Sequence, residues 1–167
     1  MKQILLTKGK YAMVDDDDFE WLINYKWHCL EYKTRKIYYA QRTIYISSGK
    51  TTHECMHREI MGCKKGDKIQ IDFIDGDGLN CQRHNLRTAT HAQNGMNRKS
   101  SGESIYLGVS KYSYTKKDGT VKWRADIKIS ERKQKCIGVF ETEKEAGLAY
   151  NKYAIKYHGE FARLNKI

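Results

Sequence analysis

Short apolar runs broken by Gly, Asn, Asp and Ser, with no proline anywhere, mark the first hundred residues of this chain. Residues 10–14 read as a strand. The acids Asp15 to Asp18, followed by Phe19, Glu20, Trp21 and Leu22, predict a short helix whose first turn meets the positive end of its dipole. Residues 36–46 and 51–55 read as strands joined by a turn at 47–50, and residues 56–61 as a short amphipathic helix stopped at Gly62. A further strand is expected at 68–72, then turn chemistry at Asp75, Gly76, Asp77 and Gly78. From Asn85 to Asn97 the spacing of Leu86, Ala89 and Ala92 predicts a helix.

The C-terminal third changes rhythm. Residues 105–110, 121–129 and 135–140 read as three strands with turns at 117–119 and 130–133. A helix follows over 142–157. Thr142 and Glu145 form its capping box, and Ala146, Ala149, Tyr150, Tyr153 and Ala154 form its apolar stripe. Alternation along the middle strand puts Trp123, Ala125, Ile127 and Ile129 under that helix, with Lys122, Arg124, Asp126 and Lys128 on the opposite face. The fold class is therefore α+β: small N-terminal strands and helices over 1–98, a linker at 99–103, and a three-stranded sheet with one covering helix over 104–167.

Charge narrows the choice of partner. The chain has 31 Lys and Arg against 20 acids, a net charge of +11. Between Arg98 and Cys136 there are eleven basic residues and four acids, interleaved with Tyr112, Tyr114 and Trp123. Such a face suits a polyanion, double-stranded DNA first, with RNA less favoured because the stacked aromatic signature of common RNA modules is missing. Candidate DNA contacts are Arg83, Arg87, Arg98, Lys99, Lys111, Lys122, Arg124, Lys128, Arg132 and Lys133. No apolar stretch reaches the roughly 18 residues of a membrane span. Five unpaired-looking cysteines, none in a Cys-x-x-Cys spacing, favour a reducing intracellular setting over a disulfide framework or a thiolate zinc site.

The candidate chemistry lies between Gln70 and Asn94. Asp72 ends the expected strand, Asn85 follows the turn, and Asn94 comes nine residues later. This frame resembles the HNH, or ββα-metal, motif of phage and intron-encoded homing endonucleases. Tyr11 to Leu22 and Met56 to Gly62 are similar to the N-terminal part of such proteins. The stretches beginning at Tyr106, Trp123, Ile137 and Tyr157 resemble the AP2-like DNA-binding module that often follows it. The resemblance implies Asp72 and Asn94 as ligands of one divalent ion, Mg²⁺ or Mn²⁺, and Asn85 as the residue that holds the loop. It also implies a histidine directly after Asp72 as general base, and the chain has Phe73 there. A phenyl ring accepts no proton, and losing a positioned base costs about 10²–10⁴-fold in rate. Two readings follow: a metal-dependent, site-specific DNA endonuclease with impaired chemistry, or an inactive DNA-binding regulator or inhibitor on the same scaffold. His84 and His91 are the imidazoles nearest in sequence that could substitute for the base.

Overall fold

A computed structural model describes residues 1–34, 36–47, 49–97, 103–112, 121–130 and 133–167. These residues form two compact units, Met1–Ala89 and Thr90–Ile167. The division thus falls before the expected linker. Among the described residues, no helix is long and apolar enough to cross a membrane.

The first unit is built from three small antiparallel sheets. Strands β1 (Lys2–Leu5) and β2 (Tyr11–Val14) pair, with helix α1 (Asp16–Leu22) following directly. Strands β3 (His28–Tyr32), β4 (Ile37–Ser47) and β5 (Lys50–Cys55) form a meander in the order β3-β4-β5 and lead into helix α2 (Met56–Ile60). Strands β6 (Gln70–Phe73) and β7 (Leu86–Ala89) form the third sheet. Each sheet is too small to bury an apolar face alone, so they share one core. Val14, Leu22, Trp27, Ala40, Met56, Ile71, Phe73, Cys81 and Leu86 all belong to it.

The expected helix over 85–97 is not what forms. Arg83–Asn85 makes one 3-10 turn, β7 continues extended, and only His91–Met96 is helical, as α3. Two local signals explain this. Thr88 and Thr90 are β-branched and favour extended backbone over a helix interior. Thr90 then caps α3 in a capping box, its hydroxyl accepting from the Gln93 N–H while the Gln93 side chain accepts from the Thr90 N–H.

The second unit holds α3 and a sheet of order β10-β9-β8, made from β8 (Val109–Lys111), β9 (Trp123–Ser130) and β10 (Lys133–Phe140). Helix α4 (Glu143–His158) covers one face, and the expected Thr142–Glu145 capping box is present. Ala125 and Ile127 are fully buried, against Ala146 for the first and Tyr150 and Ala154 for the second, as the alternation predicts. Gly108 has φ +69°, and a Cβ there would collide with the Tyr150 ring, so only glycine lets the chain enter β8 so close to α4. The C-terminal segment is tied back through Asn165, whose side chain accepts from the Leu107 N–H at 2.6 Å and donates to the Leu107 carbonyl at 3.2 Å. Of the predicted contacts, Arg98, Lys99 and Arg132 lie outside the described residues, as do Tyr114 and the turn at 117–119.

Candidate functional site

The loop between β6 and β7 is organised by Asn85. Its side-chain oxygen accepts from the Asp75 N–H at 3.0 Å, and its amide donates to Asp75 Oδ1 at 3.0 Å and to the Asn80 carbonyl at 2.8 Å. All of this happens with Asn85 3% exposed, so the amide is satisfied internally and acts as a brace. Asp75 completes the loop by accepting from the Asp77 N–H and from the Asn80 amide, both at 2.8 Å. Gly78 is required here because a Cβ would strike the Tyr38 carbonyl and the Tyr39 ring. Strand β2 holds the far side: Met13 donates to the Leu79 carbonyl and accepts from the Cys81 N–H, each at 2.8 Å.

The acidic run does more than place negative charge in the first turn of α1. The Asp15 side chain makes no cap bond within its own helix. It accepts instead from the Gln82 amide at 2.9 Å and the Arg83 N–H at 2.8 Å, and these donors hold its carboxyl below the usual range. Asp18, 2% exposed, accepts both arms of Arg83 at 2.9 and 2.7 Å. The expected DNA contact Arg83 is therefore tied to α1, though its side chain stays 58% exposed. Helix α1 thus clamps the turn that leads into Asn85.

Asp72 lies directly across from Arg87 in the β6–β7 pairing. Arg87 Nε and Nη2 both donate to Asp72 Oδ2, at 2.8 and 2.6 Å, and the side chains are only 14% and 4% exposed. Arg87, another expected phosphate contact, is committed to this carboxylate. The donors do not fit a divalent ion as they stand. A cation held by the same carboxylate would have to share it with the Arg87 guanidinium. The two positive charges would oppose one another there, so the pair as it stands disfavours a bound ion. Among the described residues no group of three His, Cys, Asp or Glu side chains is placed to hold a metal.

Phe73 is 7% exposed and belongs to the core. Its ring centroid lies 4.9 Å from that of His57, edge to face, and 5.8 Å from that of Tyr39. The imidazole beside the position of the missing base is thus His57 of α2, which sequence spacing did not single out. Burial pushes its pKa down to about 4, and Nδ1 has no hydrogen-bond partner among the described residues. A neutral, enclosed ring of that basicity is a poor proton acceptor for a reaction at neutral pH. His84 and His91 are both exposed, the first in the 3-10 turn and the second at the start of α3.

The comparisons with known proteins agree with this motif. The HNH endonuclease family pattern matches residues 56–96, from the start of α2 to the end of α3. An uncharacterized HNH endonuclease of Acanthamoeba polyphaga mimivirus is 31% identical over 161 residues, spanning 96% of this chain and 77% of the relative. The chain belongs to the HNH endonuclease family. No solved structure matches it. Within the HNH segment, Asp72, Phe73 and Asn85 lie in the first compact unit, and Asn94, the fourth residue of α3, lies in the second.

Outside the HNH segment, the second unit carries the basic sheet. Lys122 pairs with Glu141 at 2.8 Å, Arg124 with Asp126 at 2.8 Å, and Lys111 reaches Glu103 at 3.7 Å. Lys128 and Lys133 are exposed. Lys135 turns toward α4, over the rings of Tyr153 and Tyr157.

Proposed function

We propose that this chain is a DNA-binding protein built on the HNH scaffold that does not itself cut DNA, acting as a regulator or inhibitor at the sites it binds. The observation that carries the reading is Phe73: a buried hydrocarbon ring, wedged between Tyr39 and His57, where the family's motif calls for a proton acceptor. Binding to double-stranded DNA is supported by the charge of the second unit, which has 16 Lys and Arg against 8 acids. Its three-stranded sheet under one helix would serve as the AP2-like reading module. Lys111, Lys122, Arg124, Lys128 and Lys133 would neutralise phosphates.

A second reading draws on the intact Asn85 brace. A loop whose amide bonds are all retained is what an active homing-type endonuclease would need, with Asp72 and Asn94 offered to Mg²⁺ or Mn²⁺.

Incubation of the purified chain with supercoiled plasmid and Mg²⁺ or Mn²⁺ separates the two. The expected result is retained supercoiling together with a mobility shift of the DNA. Conversion to open circles or linear DNA that disappears on Asp72→Asn would overturn the non-cutting reading in favour of the second.

A further inference from the structure

We infer that Arg87 is a built-in counter-ion at Asp72, standing where a divalent metal would otherwise neutralise the carboxylate, so that the chain engages DNA without a metal. This deepens the non-cutting reading and rests on it.

The pair is fixed by the fold. Asp72 and Arg87 are cross-strand partners, and the adjacent pair Phe73 and Leu86 is buried in the core on both sides. A one-residue slip of β7 would expel Leu86 from that core, so the register that aligns Arg87 with Asp72 is strongly held. Arg87 Nε and Nη2 both donate to Oδ2 of a carboxylate that is 4% exposed. A guanidinium keeps its proton at any working pH and offers donors in a rigid fork, so this positive charge is permanent and cannot be removed by a chelator. The other loop carboxylates do not supply a substitute site. Asp75 accepts from the Asp77 N–H, the Asn80 amide and the Asn85 amide, and Asp77 accepts from the Leu79 N–H at 3.0 Å. Both are engaged within the loop.

Two consequences can be measured. DNA affinity should be the same in EDTA and in Mg²⁺ once ionic strength is matched, because no contact depends on a bound ion. Removing the guanidinium while keeping Asp72 should open the carboxylate to a cation.

The decisive experiment titrates the full chain with Mn²⁺ and reads the free ion by electron paramagnetic resonance. Wild type, Arg87→Met, Asp72→Asn and the double variant are compared, with circular dichroism to establish folding. Wild type is expected to bind no Mn²⁺ through Asp72, folded Arg87→Met about one ion per chain, and the double variant none. Mn²⁺ binding by wild type that vanishes in Asp72→Asn would overturn the inference, and this arm needs no folded Arg87→Met. So would a folded Arg87→Met that takes up no ion, or wild-type DNA affinity that collapses on chelation. The outcome is separable from the plasmid assay. A chain that nicks plasmid yet binds no ion through Asp72 defeats the non-cutting reading alone, whereas a silent chain that binds Mn²⁺ through Asp72 defeats only the counter-ion.

Discussion

The two compact units handle charge in opposite ways. Met1–Ala89 carries 15 Lys and Arg against 12 acids, and its central charges are answered inside the fold: Asp72 by Arg87, Asp18 by Arg83, and Glu59 by Arg42 at 2.7 Å. Thr90–Ile167 carries twice as many basic residues as acids, and among its described residues Lys128 and Lys133 are exposed on the sheet while the Lys122–Glu141 and Lys111–Glu103 pairs stay in contact with water. A pair that is largely buried costs several kcal/mol to break, while an exposed pair contributes little. The lesson is a division of labour. In the first unit buried charge holds shape, and in the second Lys128 and Lys133 stand exposed at the sheet.

The sharpest way to break that contrast is Arg87→Met. It leaves the Asp72 carboxylate enclosed without its partner, and the expected loss is about 3–5 kcal/mol of unfolding free energy, read by urea denaturation. Adding Asp72→Asn to Arg87→Met should return much of that loss, because the uncompensated charge is then gone. A loss below about 1 kcal/mol for Arg87→Met would mean that this pair behaves like a surface one, and the contrast between the units would fail.

That pair also shows where the sequence stops being readable. Local signals carried much of the fold. The Thr142–Glu145 box, the alternation through Ala125 and Ile127, and the hairpin of β4 and β5 are all written in neighbouring residues, and each is found. Strand β7 was hidden because Leu86, Ala89 and Ala92 mimic a helical stripe, although the capping box at Thr90 and Gln93 marks the true helix start. At the site, Asp72, Phe73 and Asn85 were named through the family resemblance, and Asn85 is hydrogen-bonded within its own loop. Arg83 and Arg87 looked like phosphate contacts because their partners are acids 65 and 15 residues away, and no local pattern reveals a partner at that range. His57 was missed for the same reason, since only the packing of α2 brings it to Phe73.

A smaller expected effect concerns His57. Its folded pKa is about 4 against an ordinary 6.5. As pH falls through 6.5 the unfolded chain takes up this proton, and the folded chain does not until near 4. Stability is therefore complete above about pH 6.5 and lost progressively down to 4, by about 3 kcal/mol in all. Urea midpoints of wild type and His57→Leu, compared between pH 7 and 4.5, isolate the contribution. The variant should lack most of this pH dependence. Burial raises the nearby Glu59 carboxyl, whose effect has the opposite sign, but it is present in both proteins and cancels in the difference. Equal slopes for the two proteins would show that the folded chain takes up this proton as readily as the unfolded one, and that burial does not depress the His57 pKa.

The weakest effect on stability, and the one that tests the second unit, is the combined change Lys122→Gln, Lys128→Gln and Lys133→Gln. These side chains sit at the sheet surface, so each should alter unfolding free energy by less than about 0.5 kcal/mol. DNA affinity should respond quite differently. If each lysine neutralises one phosphate, the slope of log affinity against log salt should become shallower by about 0.9 per residue, whatever the DNA sequence. A triple variant with unchanged salt slope would remove the sheet face from the DNA interface and leave the second unit's charge without a role. A triple variant that unfolds easily would instead make its charges structural, as in the first unit, and the division of labour would be lost from the other side.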